Sequence, residues 1–102
     1  MKNQIKIWID DIRTPPKNYV WCKDAETALR IIDYYSHYSD ENEIVEISFD
    51  HDLGEEMSGY DIAKYLVEYE IPIKGFRIHS ANPVGRFNIE QLLTHYGYKK
   101  IN

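Results

Sequence analysis

Three short segments of the 102-residue sequence set acids, imidazoles and a hydroxyl side by side: Asp10-Asp11, Asp50-His51-Asp52 and His79-Ser80. Asp10, Asp11 and Asp50, if brought to one place, repel one another, and such a cluster either takes up protons or binds a cation. Hard oxygen ligands suit Mg²⁺, and a histidine beside them extends the choice to Mn²⁺. His51 and His79 are natural proton-transfer groups near neutral pH. Asp52 stands where a carboxylate can orient His51. Residues 79–86, His79-Ser80-Ala81-Asn82-Pro83-Val84-Gly85-Arg86, read as a loop punctuated by Pro and Gly. The hydroxyl of Ser80, the amide of Asn82 and the guanidinium of Arg86 are groups that cradle a phosphate, and Arg13 is a further cation past the first acid pair. Each group also has a plainer reading: acids that cap helices, histidines held by carbonyls, a turn with a surface arginine.

The balance of charge sharpens this. Residues 1–39 carry six bases and five acids, residues 40–70 eleven acids and only Lys64, and residues 71–102 five bases and one acid. Such asymmetry usually means solvated faces, but it also provides two halves of one site, carboxylates for a cation and bases for an anion. The net charge of −5 has the wrong sign for a nonspecific nucleic-acid binder. The lone Cys22 excludes a disulfide framework and a cysteine zinc cage, and fits a reducing cytoplasm. No apolar run reaches the roughly 20 residues of a membrane helix, and residues 1–4 begin no signal peptide. The expectation is a cytoplasmic domain spanning 1–102 with no membrane partner. Tyrosines around Tyr34, Tyr35 and Tyr38 form either an amphipathic surface or a face for a homodimer.

Apolar spacing gives the elements that position these groups. Residues 4–9 form a short apolar strand, typical of a sheet covered on both faces. Residues 19–22, 44–49 and 76–78 read as further strands, and 98–101 as the stub of a fifth. Asp24 caps a helix with Ala25, Ala28, Leu29, Ile32 and Tyr35 at helical spacing. Residues 36–43 are polar and read as a loop. Ser58 with Asp61 forms a capping box for a helix through about Glu70, and Asn88 with Gln91 suggests another ahead of Leu92, Leu93 and Tyr96. Strand and helix alternate, which predicts an α/β fold: an open parallel sheet of about five strands with helices on both faces. In such sheets ligands bind outside the carboxyl ends of the strands, where all three polar segments fall.

Paired acids after strand one, Asp50 after strand three, Ser80 after strand four, and Met57-Ser58-Gly59 opening a helix resemble the receiver domain of two-component signalling. The resemblance implies a flavodoxin-like fold, Mg²⁺ held by the acids and Asp50 as phosphoacceptor. The chain departs from that pattern in His51-Asp52 directly after Asp50, in His79 before the serine, and in a missing last helix, with Lys99 or Lys100 standing in for the fifth-strand lysine. WIDDIRTPP, ISFDHDLG, SGYDIAKYL and HSANPVGRFNI are more closely similar to the cyclic-phosphate-processing receiver domain family. That resemblance implies hydrolysis of a cyclic phosphate, left by RNA cleavage or carried on a nucleotide.

The expected scheme is a phosphoesterase in which Asp10, Asp11 and Asp50 hold Mg²⁺ or Mn²⁺. His51 and His79 share the acid and base roles, Asp52 orients His51, and Arg13, Ser80, Asn82 and Arg86 hold the phosphate. Small phosphorylated ligands or RNA ends are the partners. The alternatives are a phosphoacceptor switch at Asp50, a metal-free histidine pair, and a non-catalytic protein-binding module.

Overall fold

The computed structural model describes residues 1–38 and 40–101. Its elements are β1 (Asn3–Ile9), β2 (Val20–Cys22), α1 (Ala25–His37), β3 (Asn42–Phe49), α2 (Gly59–Glu68), β4 (Phe76–Ile78) and α3 (Pro83–His95). The strands form one parallel sheet in the order β2-β1-β3-β4. This is the open parallel sheet that the alternation predicts, with the receiver-like order that the resemblance implies.

Where the helices lie differs from the prediction. No helix joins β1 to β2, and the three crossovers that carry helices, β2 to β3, β3 to β4 and onward from β4, all advance across the sheet in one direction. Right-handed crossovers running one way fall on one face. Accordingly α1 touches α2 and α2 touches α3. Helices on both faces therefore give way to a single layer. Ile7, Ile9, Cys22, Ile47, Phe49 and Phe76 bury completely against Ala28, Ile32, Ile62, Leu66, Ile89 and Leu93 of that layer. The alternate strand positions point the other way, so that Trp21, Trp8, Ser48 and Arg77 form one row across the sheet. Among the described residues that face carries no helix.

Several boundaries also shift. α1 runs through His37 and β3 begins at Asn42, which shortens the predicted 36–43 loop from both sides; Ser39 of that loop lies outside the described residues. Within the last turn of α1 the Ser36 hydroxyl donates to the Ile32 carbonyl at 2.7 Å, so this polar residue is satisfied inside the helix. α3 starts at Pro83 instead of Asn88, with Asn82 as its cap. The fifth strand reduces to a single bridge, where Lys100 pairs with Phe76.

Candidate functional site

The sheet's hydrogen bonds run one residue past the strands. Asp50 N–H donates to Ile9 O and His79 N–H donates to Phe49 O, both at 2.9 Å, while Asp10 N–H donates to Cys22 O at 3.1 Å. Backbone register thus sets Asp10, Asp50 and His79 in adjacent positions at the carboxyl edge, although up to 69 residues separate them in sequence. β1 beside β3 is the point where strand order reverses, the usual ligand position in such sheets. One carboxylate oxygen from each of Asp10, Asp11 and Asp50 lies within 4.8 Å of the others. Asp10 and Asp50 are buried and Asp11 is half-buried.

Asp10 is the most constrained of the three. Its Oδ1 accepts the backbone N–H groups of Ile12 and Arg13, each at 2.8 Å, closing the turn after β1. Its Oδ2 lies 3.0 Å from His79 Nε2 and 3.8 Å from Arg13 Nη1. Burial alone raises its pKa, but the Arg13 and Ile12 N–H groups and the His79 ring outweigh this and hold it below the usual carboxylate value. It stays ionised at neutral pH, as a cation ligand must.

His79 occupies a closed arrangement. Nδ1 is 2.8 Å from Ser48 Oγ, Nε2 faces Asp10, and the ring stacks on Trp8 with centroids 3.8 Å apart and planes 4° from parallel. Burial lowers its pKa, with Asp10 offsetting part of the shift. Both nitrogens are therefore engaged within the protein. Sequence reading picked out His79 and Asp10 but missed Ser48 and Trp8. The available signal was the polar Ser48 inside an apolar strand; what it contacts depends on cross-strand register.

His51 sits differently. Its Nδ1 is buried and has no hydrogen-bond partner among the described residues, so the predicted support from Asp52 is not found there. The Asp52 carboxylate instead accepts Asn82 Nδ2 at 3.3 and 3.5 Å. The ring is wedged beneath the first turn of α3, where a Cβ on Gly85 would stand 2.2 Å from His51 Cγ. Gly59 similarly lets α2 seat on the Asp50 backbone, since a Cβ there would lie 2.1 Å from Asp50 O.

The predicted phosphate groups divide. Arg13 lines the acidic cleft beside Asp10, Asp11, Asp50 and Asp52, and its Nη1 also donates to His79 O at 2.7 Å. Ser80 is buried and accepts Asn82 N–H at 3.1 Å. Asn82 Oδ1 caps α3 by accepting Gly85 N–H at 2.9 Å. Arg86 is exposed and faces a separate cleft with Trp8 and His79. Cys22 is fully buried, its thiol pushed up to about 11 by that burial, consistent with a core residue.

An acid cluster at the β1/β3 edge of a 2-1-3-4 parallel sheet defines a receiver-type domain. The family model for the cyclic-phosphate processing receiver domain matches residues 5–95, and the chain belongs to that family. No curated protein and no solved structure matches it.

Proposed function

We propose that this domain is a metal-dependent phosphoesterase that opens a cyclic phosphate derived from an RNA end or a nucleotide. The main support is the convergence of the Asp10, Asp11 and Asp50 oxygens within 4.8 Å, in a domain whose family processes cyclic phosphates. Three ionised carboxylates suit a hard divalent cation, Mg²⁺ or Mn²⁺. When bound, such an ion polarises a phosphoryl oxygen and makes water a better nucleophile.

The chain's own residues take the remaining roles. His79, held at both nitrogens, keeps Asp10 in position and passes a proton only by giving up one of its two bonds. His51 keeps Nδ1 buried beneath α3, so its acid–base role runs through Nε2. Asp52 fixes the Asn82 amide at the rim, and Arg13 supplies positive charge beside the cleft for the anion that develops during transfer. Ser80 and Asn82 support the phosphate loop from behind.

Asp50→Asn and His51→Ala test this assignment. Each should lower ring-opening turnover by about 10²–10⁴-fold while keeping the far-ultraviolet circular dichroism of the wild type. Wild-type rates in both variants would exclude the scheme. A second reading, phosphorylation of Asp50, draws on the receiver architecture; a phosphodonor with Mg²⁺ would then add one phosphoryl group in the intact mass.

A further inference from the structure

We infer that the helix-free face of the sheet carries a nucleoside-phosphate binding cleft, separate from the acid cluster and joined to it through His79. This inference rests on the cyclic-phosphate reading above and names the part of the substrate that reading leaves unplaced. Among the described residues the single helix layer leaves one sheet face without a covering element. A face buried in a permanent, core-like interface would be more apolar, whereas this one carries Lys6, Trp8, Trp21, Glu46, Ser48 and Arg77.

A cleft of about 500 Å³ opens on it, within the range of small-molecule sites. Its wall is aromatic: Trp8 meets Tyr19 edge-on with centroids 5.7 Å apart and stacks on His79. Its rim is cationic, with Arg77, Arg86 and Lys100 all lining it. Arg77 lies 3.2 Å from Glu46 and Lys100 lies 2.9 Å from Glu90. The exposed Arg86 guanidinium has no protein partner among the described residues. These are three of the five basic residues of the chain's last third, while the acids of its middle third supply Asp50 and Asp52. Aromatic wall and unpaired guanidinium fit a flat base and a phosphate together. His79 borders this cleft on one side and bonds Asp10 of the acid cluster on the other.

The test is calorimetric titration of the full chain with adenosine 2′,3′-cyclic phosphate in chelator, alongside adenosine and inorganic phosphate as separate arms, with tryptophan emission followed in parallel. Trp8 and Trp21, the chain's two tryptophans, both sit on this face. The cyclic nucleotide should bind and quench them, more tightly than either adenosine or phosphate. Arg86→Ala should weaken binding roughly 10–100-fold, whereas Asp50→Asn should bind at least as tightly as wild type. Phosphate matching the nucleotide, an Arg86→Ala variant with unchanged affinity, or a dimer that closes this face in sedimentation would overturn the inference. If binding follows these expectations but no turnover occurs with metal, the cleft stands and the hydrolase reading falls. Turnover with no effect of Arg86→Ala gives the reverse.

Discussion

His79 is the residue on which the two clefts meet, and its protonation state follows from its partners. The ionised Asp10 carboxylate can only accept, so Nε2 must carry the proton facing it. In the neutral ring Nδ1 is then an acceptor, and Ser48 must be the donor. Ser48→Ala removes that donor from a buried acceptor and should cost about 1–3 kcal/mol in urea denaturation. Long-range ¹H–¹⁵N spectra of the wild type at pH 7 should show the Nε2–H tautomer, and an Nδ1–H tautomer there would contradict this reading. The acids and histidines were legible because polar side chains at the ends of apolar runs are unusual. Ser48 and Trp8 were not, because their roles arise from the pairing of Trp8 with Ser48 across the sheet, which local sequence does not encode. His51 and Asp52, adjacent in sequence, looked like partners; in the fold Asp52 turns to the α3 cap.

At the scale of elements, the helix starts hold the site in place. α2 opens with a reciprocal box, Ser58 Oγ accepting Asp61 N–H while Asp61 Oδ2 accepts Ser58 N–H at 2.8 Å. The Ser58 N–H holds the Asp61 carboxyl below its ordinary 3.8, burial and Lys64 being smaller influences. A depressed carboxyl contributes stability above its unfolded value and loses it as pH falls through the folded value. Asp61→Ala should therefore destabilise by about 1 kcal/mol at pH 7, with the gap to wild type closing below pH 3.8. An equal gap at pH 3 and pH 7 would rule this out. This box was readable because both residues and their spacing are local. The α3 start was misread for an equally physical reason. Pro83 and Gly85 look like loop punctuation, but proline is well suited to the first helical position. Gly85 is there because His51 packs beneath it, a contact that two distant segments create.

For the molecule as a whole, strand alternation gave the parallel sheet and its carboxyl edge, hence the neighbourhood of the site. It did not give the bare face, because the side on which a crossover falls depends on strand order. Losing the helix between β1 and β2 is what turns a sheet of the buried kind into one with a wet, aromatic and basic surface beside the acid cluster. Among the described residues no helix is long and apolar enough to cross a membrane. Asp10, Asp11 and Asp50 gather at the strand ends with Arg13 beside them, while Arg77, Arg86 and Lys100 gather around the open-face cleft with Glu46 paired to Arg77. The most direct test of the central claim is ³¹P NMR of the purified chain with 2′,3′-cyclic nucleotides, ADP-ribose cyclic phosphate and 3′,5′-cyclic nucleotides, each with Mg²⁺ or Mn²⁺ and with chelator. The account predicts that at least one cyclic phosphate resonance converts to a monoester with metal and stays unchanged in chelator; no conversion of any of them with metal, or equal conversion in chelator, would contradict it.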